Sequence, residues 1–177
     1  FDFDAPAVVV GEVPVERVVF QAGDFIDIGF DVFFREKMAA HVERIATELG
    51  IDADVAGVHY RGTDKVSEAA AVDPEHVIGH VGTCLESHPE IKQVFVATDS
   101  EGFLRLIGDR LKGFGVTYRT DELRSVGERP VHLSPVADQY RLGQEALANC
   151  LLLAKCGVVV KNMSDLSGWS SVFNPSQ

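Results

Sequence analysis

The sequence predicts an α/β fold, a doubly wound parallel sheet of Rossmann-like type. Short Val-rich runs alternate with longer segments of helical period, the runs are apolar on both faces, and polar residues gather where the runs end. Such alternation implies parallel strands joined by crossover helices, in a sheet covered on both sides.

The elements follow in chain order. Residues 1–27 hold Asp-rich turns and Val runs, with a candidate strand at Val15–Phe20 but no clean crossover helix. They read as the trailing edge of a preceding domain, leaving residues 28–177 as the Rossmann-like domain. Phe30–Leu49 carries Phe33, Phe34, Met38, Val42, Ile45 and Leu49 at the three- and four-residue spacing of an amphipathic helix. Val55–Tyr60 is the next strand. Asp73-Pro74-Glu75 supplies an N-cap and a Pro at the first helical position, opening a helix to about His88. Gln93–Thr98 is a strand, and Phe103–Lys112, with Phe103, Leu106, Ile107 and Leu111, is a helix ending before Gly113. Gly115–Arg119 and Gly157–Lys161 are the remaining strands. Between them, Asp138–Cys156 presents Leu142, Ala146, Leu147, Cys150, Leu151 and Ala154 on one helical face. A short segment, Gly168–Phe173, is stopped by Asn174-Pro175.

Composition narrows the function classes. A chain of 177 residues is the size of one domain and needs no staples, since a fold this large buries about 70% of its unfolded surface. Apolar residues at 46% and charged residues at 24% argue against disorder. The net charge of −11 and an isoelectric point near 4.9 speak against a nucleic-acid binder, which needs a basic stripe to displace counterions, and against docking on anionic membranes. Cys84, Cys150 and Cys156 are an odd number at spacings that no disulfide or zinc framework uses, so reduced cysteines and a cytoplasmic setting are expected. The longest apolar stretch, Leu151 to Val160, is broken by Lys155, and no membrane span is expected. Nothing near the start resembles a signal peptide. The chain opens at Phe1, and a processed, trimmed or partial protein is expected.

The main functional signal lies at the strand ends, because ligands of open parallel sheets bind beyond the carboxyl ends of the strands. His59-Tyr60-Arg61-Gly62-Thr63-Asp64-Lys65 follows one strand, Thr98-Asp99-Ser100 a second, Arg119-Thr120-Asp121 a third, and Lys161-Asn162-Met163-Ser164-Asp165-Leu166-Ser167 a fourth. Arg61 offers a planar, always-charged fork suited to paired phosphate oxygens, or it forms a surface pair with Asp64. Asp99 can accept two parallel hydrogen bonds from the N1–H and amino group of guanine, or Asp99 or Ser100 caps the following helix. Ser164 and Ser167 stand ahead of a short helical segment whose free amides form an anion site, or they close a simple capped turn.

Other patterns are weaker. No Gly-x-Gly-x-x-Gly, P-loop or Gly-x-Ser-x-Gly elbow is present. His76, His80, Cys84 and His88 recur every four residues, but each step drifts about 40° around a helix, so at most two neighbours can share an ion. Asp52-Ala53-Asp54 precedes a strand instead of following one and reads as a turn.

Together the strand-end clusters resemble a family pattern. His59-Tyr60-Arg61-Gly62-Thr63-Asp64-Lys65 resembles the His-x-Arg-(Arg/Gly)-x-Asp motif of fucosyltransferases, particularly the α1,6-fucosyltransferases of nodulation and N-glycan core type. Val94–Ser100 looks like the second motif, shared with protein O-fucosyltransferases, and Glu145–Pro175 is similar to the third region of bacterial relatives. The resemblance spans Val55 to Pro175. It implies the C-terminal, donor-binding half of a two-domain GT-B glycosyltransferase, with GDP-fucose as donor, no cofactor or required metal, inversion at the anomeric carbon, and a glycan or protein hydroxyl as acceptor. It further implies an N-terminal acceptor domain that is missing from this chain or barely represented by its opening residues.

By the same implication Arg61 holds the β-phosphate, and His59 and Asp99 contact the guanosine with Thr120 nearby. Asp64 and Asp165 belong to the nucleotide-sugar site as parts of the first and third motifs, and Ser164 and Ser167 cradle the pyrophosphate. Glu68, assisted by Lys65, matches the acceptor-activating base. This sequence differs from the pattern at Gly62, where a second Arg is common, at Asp165, where Asn is expected, and in the spacing of Glu68, one residue early.

The chemistry of glycosyl transfer agrees with these roles: the departing diphosphate gains charge, which an Arg and helix-start amides stabilise, while the acceptor hydroxyl needs a base. The alternatives are a non-catalytic nucleotide or nucleotide-sugar binding module and a different GT-B or kinase-like phosphate enzyme.

Overall fold

The computed structural model describes residues 32–62, 72–127, 131, 138–162 and 164–175. The candidate strand Val15–Phe20 and the segment 1–27 lie outside the described residues. The elements are α1 (Val32–Leu49), β1 (Val55–Tyr60), α2 (Pro74–Ser87), β2 (Gln93–Thr98), α3 (Glu101–Arg110), β3 (Gly115–Thr117), α4 (Gln139–Lys155), β4 (Val158–Lys161) and α5 (Asp165–Phe173).

Among the described residues all four strands are parallel, in the order β3-β2-β1-β4. From β1 the chain steps outward through β2 to β3, then crosses back to place β4 against the other side of β1. Strand order therefore reverses between β1 and β4, where the connections lead to opposite faces and open a crevice at the carboxyl edge.

Alternation along the strands sorts the core into two layers. Ala56, Val58, Val94, Val96 and Val160 face α2 and α3, and meet Val77, Val81, Leu85, Phe103 and Ile107. Val55, Phe95, Ala97 and Val159 face α1 and α4, and meet Val42, Ile45, Leu152 and Leu153. Every residue of β1 is buried, which is why the strand reads as apolar on both faces. Among the described residues no helix is long and apolar enough to cross a membrane.

Two glycines mark close approaches. A Cβ on Gly57 would lie 3.0 Å from Leu153 Cδ2 and 3.1 Å from Val159 Cγ2, so its absence lets α4 seat on the sheet. A Cβ on Gly157 would fall 2.0 Å from the Ala53 carbonyl oxygen, a backbone atom that cannot swing aside. Gly157→Ala is expected to destabilise the domain by about 2 kcal/mol, read as a lower urea midpoint. An unchanged midpoint would contradict this packing.

The element boundaries differ from expectation by one to three residues at several ends, and three of these have a visible cause. β3 stops at Thr117 rather than Arg119, because the Arg119 side chain turns inward to ion pairs instead of continuing an edge strand. α3 begins at Glu101 rather than Phe103, capped by Ser100, whose hydroxyl accepts from Phe103 N at 3.1 Å. α5 begins at Asp165, three residues ahead of Gly168, because Ser164 and Ser167 form a reciprocal capping box. The Asp-x-Asp pair is a turn, as expected, with Asp54 N donating to Asp52 Oδ1 at 2.9 Å. The three cysteines are free, and the described residues hold no group of three metal-ligating side chains.

Candidate nucleotide site

The carboxyl edge of the sheet holds a solvent-open cavity of about 190 Å³. His59 and Arg61 enter it from the end of β1, Asp99 from the end of β2, Glu122 from the segment after β3, and Glu145 and Asn149 from α4. Three of the sequence-predicted residues, His59, Arg61 and Asp99, thus share one wall.

A side chain from β4 holds the backbone of Arg61 in place. Asn162 Oδ1 accepts from Arg61 N at 3.1 Å, and Asn162 Nδ2 donates to Arg61 O at 2.8 Å. Asn162 N also donates to His59 O at 3.3 Å. The buried amide acts like one more ladder rung between β1 and β4, extending their pairing past the strand ends. Asn162→Ala is expected to cost about 1–2 kcal/mol, since two partnered backbone groups lose their bonds. It should also weaken ligand binding about tenfold by loosening Arg61. Lost stability with unchanged binding would assign Asn162 a structural part only.

Ser100, not Asp99, caps α3. Asp99 therefore turns to the cavity, where its Oδ1 accepts from Gly62 N at 3.4 Å. Gly62 itself has a local reason. A Cβ there would come within 2.6 Å of the Tyr60 ring, which stacks on Phe103 at 4.1 Å and donates its hydroxyl to Val72 O.

His59 is buried, with only 5% of its surface exposed, and its Nδ1 lies 3.4 Å from Ser164 Oγ. Burial first, then the positive charges of Arg61 and Lys161, lower its pKa to about 3, so the ring is neutral at ordinary pH.

The remaining sequence-predicted residues are placed differently. Ser164 and Ser167 are buried and do not line the cavity. Ser164 Oγ accepts from Ser167 N at 3.2 Å, and Ser167 Oγ donates to Asn162 O at 3.0 Å. Their hydroxyls thus close the cap of α5 and meet the cavity through His59. Thr120 is exposed and does not line it. Asp165 is the first residue of α5. Asp64, Lys65 and Glu68 lie outside the described residues.

Sequence reasoning placed Arg119 at a strand end but missed that it joins Glu122 and Arg124 in a buried cluster beside the cavity. The side chains of Arg119, Glu122 and Arg124 are only 4%, 5% and 7% exposed. Glu122 Oε2 accepts from Arg124 Nη2 at 3.0 Å. Its Oε1 lies 3.1 Å from Arg119 Nη1 but off the N–H axis, a charge contact in which that oxygen accepts no hydrogen bond. Arg-x-x-Glu-x-Arg spacing is too common on surfaces to signal burial. The available hint was a run of charges directly after a strand.

No protein-family model matches this chain, and no curated protein is significantly similar to it.

Proposed function

We propose that this domain binds GDP-fucose and is the donor half of an inverting, metal-independent fucosyltransferase of GT-B architecture, acting on a glycan or protein hydroxyl. The observation that carries the reading is that Arg61 and Asp99 line one cavity at the carboxyl edge of a parallel sheet, beside its order reversal. A guanidinium suits a diphosphate, and a carboxylate suits the N1–H and amino edge of guanine. The ordered strand-end motifs supply the rest of the support.

In this mechanism the acceptor oxygen attacks the anomeric carbon from the face opposite the diphosphate. The bond from that carbon to the β-phosphate oxygen breaks, and its electron pair leaves with GDP. The acceptor proton passes to a base, by resemblance Glu68 assisted by Lys65. Arg61 stabilises the charge gathering on the departing diphosphate, an interaction strongest in the transition state. Neutral His59 positions the nucleoside as a hydrogen-bonding group without adding charge.

Calorimetric titration of the chain with GDP, ADP and UDP tests the reading. Binding of GDP at least about tenfold tighter than ADP or UDP is expected, the scale of one well-placed bidentate contact. Indifference to the base, or no binding, would overturn it.

A further inference from the structure

We propose that Glu122 makes nucleotide binding proton-linked, the anionic donor binding preferentially to the form of the protein in which Glu122 carries a proton. The proposal rests on the nucleotide-binding reading above and deepens it.

The cavity wall is unbalanced for a diphosphate. It holds the carboxylates of Asp99, Glu122 and Glu145 against the guanidinium of Arg61. Asp99 accepts from Gly62 N, and Glu145 Oε1 accepts from Arg141 Nε at 2.7 Å. Glu122 is the carboxylate least well kept in its charged form, with one buried oxygen lacking a hydrogen bond. Both its arginines are shared. Arg119 also donates to Asp121 Oδ2 at 3.0 Å and to Glu145 O, and Arg124 donates to Arg119 O at 2.6 Å. Arg119 Nε and Arg124 Nε are buried without partners.

The segment carrying Glu122 is tied to the turn between β2 and α3, since Ser125 N donates to Asp99 O at 2.8 Å and Glu101 N donates to Ser125 O at 3.0 Å. The Glu122 carboxylate itself is held at the cavity by its contacts with Arg119 and Arg124. The groups facing it are Arg119 and Arg124 from its own segment and Asn149 and Glu145 from α4. Burial, with a smaller push from the Glu145 charge, outweighs the two guanidiniums and the Asn149 amide and raises the carboxyl to about 7, so both protonation states are populated near neutral pH.

A negative charge brought about 12 Å from a carboxylate, at an effective dielectric of about 20, raises its pKa by roughly one unit. Binding then draws a proton from solvent. Because the protonated form binds better, affinity falls as pH rises through the Glu122 transition, by up to about tenfold between pH 6 and 9.

GDP-fucose is the probe, because its diphosphate diester does not titrate in this range as the terminal phosphate of GDP does. The chain is titrated with it at pH 7.5 in HEPES and in Tris, whose ionisation heats differ. Uptake of roughly half a proton per ligand is expected for a one-unit shift, with none in Glu122→Gln. Binding without buffer dependence, or uptake that persists in Glu122→Gln, overturns the proposal and leaves the nucleotide reading standing. Absence of any GDP-fucose binding overturns both. If Glu122→Gln fails to fold, wild-type protein labelled at the Glu carboxyl carbons decides the matter. One carboxyl should titrate near pH 7 and move upward on adding GDP-fucose. Ordinary midpoints for every Glu would overturn the proposal.

Discussion

Arg61→Ala is expected to weaken GDP binding about a hundredfold while the domain stays folded. A charge-assisted, forked contact to a phosphate is worth about 1.5–3 kcal/mol, and 2.7 kcal/mol corresponds to about a hundredfold in affinity. The fold should tolerate the change because Asn162 bonds to the Arg61 backbone, not to its guanidinium, and those bonds survive truncation. Arg61→Lys keeps the charge but loses the fork, and should fall between wild type and Arg61→Ala. On the proposed fucosyltransferase reading, transfer measured with an acceptor domain supplied should drop by more than binding does, because the guanidinium meets the greatest charge in the transition state. The measurement is GDP calorimetry beside urea unfolding. Unchanged affinity in a folded Arg61→Ala protein would remove this residue from the site, and the glycosyl-transfer mechanism with it.

Acid should expose a large cost at His59. Its folded pKa of about 3 lies below the ordinary value of 6.5, because of burial and then the charges of Arg61 and Lys161. Between those values the unfolded chain takes up a proton that the folded protein refuses. The His59 contribution to stability is therefore complete above pH 6.5 and is lost as pH falls toward 3. By pH 4 the loss is on the order of 3 kcal/mol.

Glu122 works in the opposite direction. Its folded value of about 7 exceeds the ordinary 4.5, so its contribution is complete below 4.5 and is lost as pH rises through 7. The two effects flatten the wild-type profile, and His59 has to be isolated by difference. His59→Asn keeps a polar atom near Ser164 and removes the titration. It should be less stable than wild type at pH 7.5, with the gap narrowing by about 3 kcal/mol at pH 4. A constant gap, or a His59 ring that titrates near 6.5 by NMR, would contradict the buried neutral imidazole.

Much of the scaffold was readable in the sequence because its signals are local. Val55–Tyr60 and Gln93–Thr98 have the expected bounds, since a six-residue run buried on both sides leaves little choice of where the strand lies. The Asp73-Pro74 start of α2 and the Asp138 cap of α4 are satisfied by their own neighbours in the chain, Glu75 N and Tyr140 N. The early starts of α3 and α5 were decided by side-chain caps that hydrophobic period does not register, Ser100 for one and the Ser164–Ser167 box for the other. β3 stops short because Arg119 finds the buried acid Glu122, a contact that no hydrophobic period encodes.

The sequence by itself determined the parallel α/β scaffold, because apolar periodicity and capping act over a few residues. It also determined that polar groups gather at the strand ends. Tertiary structure decided which of those groups meet. It brought His59, Arg61 and Asp99 to one cavity and turned Ser164 and Ser167 into a buried cap. Across 101 residues of chain it set Asn162 against the Arg61 backbone, and it sank Glu122 between two arginines. The physical reason is that strand order and burial set the distances between charges. Those distances, with local exclusion of water, govern whether a carboxylate or imidazole holds its proton.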